Sequence, residues 1–447
     1  MKTKDMDMLN GPLWNKILAF ALPLAASSML QQLFNSADVA IVGRFAGRQA
    51  LAAVGSNGPI INLLVNIFVG LSIGANVVIA RLIGRGDKKR INKAVHTSIV
   101  IAILSGLFVT IVGLIITRPV LRLMSTPDDV IELSTTYLRI YFLGMPFLML
   151  YNFSAAILRS KGDTKRPLIC LTISGAVNVI LNLVFVIGFN MSVAGVATAT
   201  VISQLISASL LVILLMREEK PLKLNFKDLR IDMPTLKEIA RIGIPSGLQG
   251  MVFSASNVVI QSSMNSLGST VIAASSAALN FEIFAYYMLN GFEHAAVTFT
   301  GQNYGASKYD RCNKTAWQCL LLGGMFTGAL CAVFVAFGNF FIRIYTTDEA
   351  VIPIALERVR FVLTFQITNM ALEVFSGCMR GLGHSLVPAV ISIAGICGVR
   401  LIWVATVFRL HPDFNTLIAV YPLSWIITAV LITIAYFIIR KRAYSQE

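Results

Sequence analysis

Long apolar runs separated by short polar or charged stretches recur from Trp14 to Ile439. Crossing a bilayer takes roughly 20 apolar residues in helical form. The pattern predicts about twelve such helices, near 14–41, 51–80, 94–117, 134–158, 167–188, 193–216, 238–262, 271–299, 315–341, 355–379, 388–408 and 415–439. No stretch reads as a separate soluble domain. The opening MKTKDMDMLNGPLWNK is polar, and the run after it is too long for a signal-peptide core and lacks a cleavage site. A retained first helix is expected, and an all-α membrane protein overall.

The pattern repeats itself. GRGDKKRINK (84–93) and GASKYDRCNK (305–314) match in register, Gly84 with Gly305, Arg90 with Arg311, Asn92 with Asn313 and Lys93 with Lys314. The same shift pairs Arg122 with Arg343, Thr126 with Thr347, Arg139 with Arg360, Arg159 with Arg380, Gly162 with Gly383 and Pro167 with Pro388. Six helices per half is an even number, so two parallel repeats are expected around a central cleft. The halves are 1–216, an N-terminal six-helix lobe, and 238–447, a C-terminal one, joined by a charged cytoplasmic linker at 217–237. Near the start of each half a proline, Pro23 or Pro245, interrupts the first helix by removing a backbone hydrogen bond. The two lie 222 apart, one residue out of step with the other pairs; each kinks its helix, and the near-matching positions also suit hinges. Small residues four apart (Gly70 and Gly74, Ala194 and Thr198, Gly377 and Gly381) predict close helix packing.

Composition agrees: 56% of residues are hydrophobic and 13% charged, against about 25% charged in soluble domains. The net charge of +15 is sorted by position. Of 37 Lys and Arg, 27 fall in one alternating set of loops and termini and seven, including Arg48 and Arg358, in the other. Arg139, Arg360 and Arg400 lie within helices. The positive-inside rule puts both termini in the cytoplasm of a multi-pass inner (plasma) membrane protein. The charge thus serves topology and anionic membrane lipids, with no nucleic-acid partner. The six cysteines form no CxxC and predict neither a disulfide framework nor a zinc site.

Several stretches resemble the multidrug and toxic compound extrusion (MATE) family. ALPLAASSMLQQLFNSADVAIVGRFAGRQALAAVGSN is similar to its first helix and loop, and GAVNVILNLVFVIGF with AGVATATVISQ to its fifth and sixth helices. GIPSGLQGMVFSASNVVIQSSMNSLGS resembles the seventh helix, GQNYGASKYDR the exit of the eighth, and RGLGHSLVPAVISIAGICGVRLIW the tenth and eleventh. The resemblance implies a twelve-helix, two-lobe antiporter that expels organic, often cationic or amphipathic, compounds in exchange for H⁺ or Na⁺.

Charges inside the membrane are costly, about 2.5–3.5 kcal/mol for a mid-helix Asp, so each points to a cavity or a partner. Asp38 in FNSADVAIVG matches the first-helix aspartate that binds the coupling cation in DinF-type members. Its carboxylate is suited to hold Na⁺ with neutral oxygens, or a proton. No other metal site is expected. Asn178 and Asn182 share one face of the fifth helix, and Thr200 lies in the sixth. Asn178 and Thr200 match the DinF-type surroundings of that aspartate, whereas Asn182 stands where those members carry Asp. One carboxylate fewer limits the site to a single cation.

Glu282 and Glu293 are eleven residues apart on the eighth helix, nearly three full turns, and so face nearly one way. With Glu373 and Gln302 they are expected to line a substrate cavity or proton relay, His294 adding a titratable group. Arg360 and Arg400 are their candidate structural partners. Gln249 and Gln261, with Phe281, Phe284, Tyr286, Tyr287 and Phe292, are suited to contact flat cations. Where NorM-type members carry a tenth-helix Asp and a seventh-helix Glu, this chain has Asn369 and the pair Phe253 and Ser254, so that site is not reproduced.

No P-loop, HExxH or GxSxG is present. The sequence therefore predicts no enzyme, no cofactor and no obligatory protein partner, and an export cycle driven by an ion gradient. A flippase for lipid-linked saccharide precursors is the alternative. It requires a strongly basic cavity.

Overall fold

The computed structural model describes residues 6–55, 57–124 and 126–445, with the side chains of 48 and 59 left aside. Lys2 and Lys4, and the side chain of Arg48, counted above in the charge pattern, lie outside the described residues. All regular structure among the described residues is helical. The first half holds α1 (Trp14–Phe45), α2 (Arg48–Gly55), α3 (Gly58–Arg85), α4 (Lys88–Leu123), α5 (Asp128–Leu143), α6 (Met145–Ser160), α7 (Lys165–Leu183) and α8 (Ser192–Met216). The second holds α9 (Met233–Asn265), α10 (Ser269–Gly305), α11 (Tyr309–Ala336), α12 (Gly338–Tyr345), α13 (Val351–Gly381), α14 (Leu386–Ser392), α15 (Val399–Trp403), α16 (Phe414–Ile418) and α17 (Val420–Ser445).

Among the described residues, nine helical segments are long and apolar enough to cross a membrane, or ten if α5 and α6, bent by 46°, form one crossing. That bend falls at Gly144 beside Pro146, where a backbone donor is missing. α9 and α13, at 33 and 31 residues, are long enough to complete twelve. Their polar residues, Asn257 and Gln261 on α9 and Arg358, Glu373 and Arg380 on α13, weaken the hydropathy signal that marks the others. Each half also has a π-helical segment at a matching place, Val184–Gly188 after α7 and Val404–Phe408 after α15. Such wide turns recur at functional sites.

The chain forms two compact units, one built on Ala26–Gly247 and the other on Asp7–Ala25 with Leu248–Glu447. Pro23 and Pro245 lie inside the continuous helices α1 and α9, each two residues before the passage from one unit to the other. In the first unit, Gly70 and Gly74 of α3 lie against Gly243, Gly247 and Ile239 on the early turns of α9, with no room for a Cβ. In the second unit α10 packs along α13. A Cβ on Gly377 or Gly381 would approach the carbonyl oxygens of Glu293 or Val297 to 2.8 or 2.7 Å. The small-residue spacing thus does what it predicts for these two pairs: it lets backbones meet.

The segment after α8 is pinned to the first unit. His96 of α4 accepts the backbone N–H of Asn225 at Nε2 (3.1 Å), and its Nδ1 lies 2.7 Å from the Asn92 carbonyl oxygen. Thr97 binds backbone at Arg230 and Asp232, and Lys93 pairs with Asp232 at 3.0 Å. Lys161 and Arg166 both reach Glu218. All six cysteines are buried thiols.

Candidate functional site

Ionisable side chains inside the helices gather in three places. In the first unit, Asp38 on α1 is only 7% exposed. Its Oδ1 accepts Nδ2–H of Asn182 at 2.5 Å, and its Oδ2 accepts the Thr200 hydroxyl at 3.4 Å. Asn182 also donates to Asn178 Oδ1 at 3.2 Å, one helical turn away on α7. Tyr137 and Tyr141 of α5 are near enough to interact electrostatically with the carboxylate. The four residues expected to gather do gather.

Asp38 is held by neutral donors, and it takes part in no ion pair among the described residues. Asn182 Oδ1 is buried without a hydrogen-bond partner. The carboxylate, Asn178 Oδ1, the orphaned Asn182 Oδ1 and the Thr200 hydroxyl are hard oxygen ligands of the kind an alkali cation takes. They include no cluster of three or more His, Cys, Asp or Glu, and none exists among the described residues. The donor set therefore fits a monovalent cation or a proton better than a transition metal.

The second place lies between α9, α10 and α13. Glu293, 2% exposed, accepts from Arg380 Nη1, and Arg380 Nη2 donates to Gln249 Oε1 at 3.0 Å. His294 Nδ1 is 3.7 Å from Glu293 Oε2. Glu373, also buried, is close enough to Glu293 and Arg380 to feel both charges. Gln302 is buried nine residues beyond Glu293, roughly 13 Å along the helix at 1.5 Å per residue.

The third place lies between α9, α10, α13, α15 and α17. Glu282 receives a two-pronged contact from Arg358, Nε to Oε1 at 2.6 Å and Nη2 to Oε2 at 3.0 Å. Arg358 and Arg400 both lie by the ring of Tyr421, their guanidinium carbons 5.4 and 4.7 Å from its centroid. Arg400 Nη1 donates to Asn257 Oδ1 at 3.1 Å. Beside this group, Phe361 also borders a recess of about 580 Å³ along α13 that includes Glu357, Arg360 and Phe365.

Glu282 and Glu293 both meet α13, and each is taken up by a separate arginine of that helix. Neither partner is Arg360 or Arg400, the two suggested from the sequence. Arg360 and Arg139 are exposed. Arg358, counted with the loop residues, is a buried ion-pair partner at 3% exposure. Gln249 is drawn into the Glu293 cluster, whereas Gln261 is exposed and bonds Asn265. Sequence reading missed Arg358, Arg380, Asn257 and Tyr421. The available signal was charge within or beside apolar runs, which marks a partner without saying which one.

Known proteins resemble this chain along most of its length. "Probable multidrug resistance protein YoeA" of Bacillus subtilis (strain 168) is 29% identical over 395 residues, covering 87% of this chain and 85% of its own. "Probable multidrug resistance protein NorM" of Thermotoga maritima is 27% identical over 393 residues, covering 86% and 84%. A solved structure, the outward-facing conformation of a multidrug resistance MATE family transporter of the MOP superfamily, superposes with a TM-score of 0.91. It is 21% identical and covers 99% of each chain, which establishes the shared fold. The MatE family model matches twice, at residues 23–184 and 245–405, in step with the internal repeat, and the chain belongs to that family.

Proposed function

We propose that this protein is a secondary active antiporter that exports organic, cationic or amphipathic compounds in exchange for H⁺ or Na⁺ by alternating access. It works in the inner membrane with both termini in the cytoplasm and anionic lipids around its basic loops. The observation that carries the reading is the environment of Asp38. A buried carboxylate with neutral donors alone retains an unbalanced charge, which a proton or Na⁺ from solution can neutralise reversibly. The names of the relatives from Bacillus and Thermotoga support the export of drugs.

Cation occupancy at Asp38, Asn178, Asn182 and Thr200 has to differ in affinity between the two states of the cycle, since a ligand with equal affinity for both shifts nothing. Pro23 and Pro245 are the proposed hinges, and the lobes 1–216 and 238–447, with the linker 217–237, the moving bodies. Glu293 and Glu282 serve structure first, each being neutralised by an arginine, which leaves Glu373 as the second-half carboxylate suited to a relay. No step requires an enzyme activity or a cofactor. The flippase alternative is less favoured, because Arg358 and Arg380 are each neutralised by a glutamate.

The test is efflux of a fluorescent organic cation from energised vesicles, with pH and sodium gradients imposed separately. Wild type responds to one gradient, and Asp38→Asn loses that response while staying in the membrane. Full gradient-driven efflux in the variant would remove Asp38 from the mechanism.

A further inference from the structure

The repeat gives the Asp38 site of the first half an equivalent place in the second. The shift that pairs Gly84 with Gly305 also pairs Tyr137, beside Asp38, with Arg358. It pairs Thr200, which donates to Asp38, with Tyr421. Asn178 is paired with Val399, the immediate neighbour of Arg400. The π-helical segments Val184–Gly188 and Val404–Phe408 fall within one position of the same register. So do the starts and ends of the two matches to the family model.

Arg358 and Arg400 form one contact group around the Tyr421 ring. The second half therefore holds a counterpart of the cation site at the equivalent place, with its polarity inverted. Val259 and Ile260, both apolar, stand where the repeat places the counterpart of Asp38, since the prolines of the two first helices are 222 apart. One neutral neighbour of Asp38, Tyr137, is replaced by an arginine, and a second arginine, Arg400, stands one position past the counterpart of Asn178.

The charges of this second group do not balance. Glu282 is the one carboxylate in contact with it among the described residues, and both its oxygens are committed to Arg358. Arg400 is 7% exposed, and its hydrogen bond goes to the neutral amide of Asn257. Its Nε is buried with no hydrogen-bond partner. A buried guanidinium with an idle donor and no counter-ion is unfavourable unless an anion completes it.

Asn257, at the edge of the group, is exposed, so the site has an opening. Phe361, Trp403 and Tyr421 belong to one apolar cluster alongside, and they offer aromatic surface next to the charge. One spare positive charge calls for a single negative one, and the planar fork of arginine suits a carboxylate.

We propose that Arg400, Asn257 and Tyr421 form a binding site for the carboxylate of an aromatic organic ligand, the charge-inverted twin of the Asp38 site. Calling that ligand a cargo rests on the export reading; its binding does not, and neither depends on Asp38.

Binding is measured by fluorescence anisotropy on the full chain in nanodiscs, with two dyes differing in one group. Rhodamine 110 carries a free carboxylate, and rhodamine 123 is its methyl ester. Removing a charged hydrogen-bonding partner in such a site weakens binding by about tenfold or more. Arg400→Gln is therefore expected to weaken rhodamine 110 at least tenfold and rhodamine 123 less than twofold. Arg400→Lys should restore part of the difference, and Asn257→Ala should weaken rhodamine 110 selectively by a smaller factor. If Arg400→Gln does not fold, the Lys and Asn257 variants carry the comparison. Equal effects on both dyes, no effect on either, or no binding of rhodamine 110 to wild type would overturn the proposal. Loss of ion-driven efflux in Asp38→Asn with this selectivity intact would leave it standing, as would the failure of the export reading.

Discussion

Asp38 and Glu293 are both buried carboxylates on membrane-crossing helices, with 7% and 2% exposure. Their surroundings differ in kind. Asp38 is held by Asn182 and Thr200, which carry no charge. Glu293 is held by Arg380, itself braced by Gln249. A carboxylate neutralised by a fixed arginine has no need of a mobile cation, and breaking the pair leaves an uncompensated charge in a dry site. A carboxylate among amides and hydroxyls keeps its need, and on the proposed reading satisfies it from solution. Burial alone thus does not make an acidic residue a coupling site. The charge of its neighbours does.

The sharpest way to break this contrast is Arg380→Gln. It strands Glu293, and we expect a loss of about 3–5 kcal/mol, read as a lower unfolding midpoint of the purified protein or a collapse in extractable protein. Adding Glu293→Gln to the same chain should recover most of it. Wild-type stability in Arg380→Gln would mean that the pair is not structural.

Asp38→Asn should behave in the opposite way. The amide keeps a hydrogen-bonding group in place, so the unfolding midpoint should stay within what about 1 kcal/mol would move. Gradient-driven efflux should nevertheless fall at least tenfold, about 1.4 kcal/mol or more in coupling. A strongly destabilised Asp38→Asn protein with normal efflux per folded molecule would merge the two classes of carboxylate.

Smaller effects belong to the linker, where charges meet water. Lys93 is 42% exposed in its pair with Asp232, so Lys93→Ala should cost only about 0.5 kcal/mol. It should show as faster proteolysis within 217–232 without loss of efflux. Smallest is the response to acid. The Thr235 hydroxyl, then Lys93, hold the Asp232 carboxyl below its ordinary value. A lowered native pKa contributes stability that is present above the unfolded value, about 3.9, and is lost as pH falls through the native one. Linker docking should therefore be flat from pH 5 to 8, and cleavage there should rise only below about pH 4.

The repeat and the apolar runs made the helical fold legible, because period and length are properties of the chain alone. Even so, α13 is harder to read, since it carries Arg358, Glu373 and Arg380 in its interior. The first-half site was legible through Asp38 and the four-residue spacing of Asn178 and Asn182, which one helix turn brings together. The second-half pairings were not. Arg358 meets Glu282 across 76 residues and Arg380 meets Glu293 across 87, and nothing in spacing selects those arginines over Arg360 or Arg400. Side-chain facing did that: Arg358 and Arg360 are two residues apart, about 200° around the helix, so one is buried and the other exposed.

Infrared difference spectroscopy of the full chain in nanodiscs, titrated with acid and separately with sodium, tests the role of Asp38 most directly. Wild type should show a carboxyl band that changes over the working range, and Asp38→Asn should lack it. An unchanged titrating band in Asp38→Asn would place the exchangeable cation elsewhere.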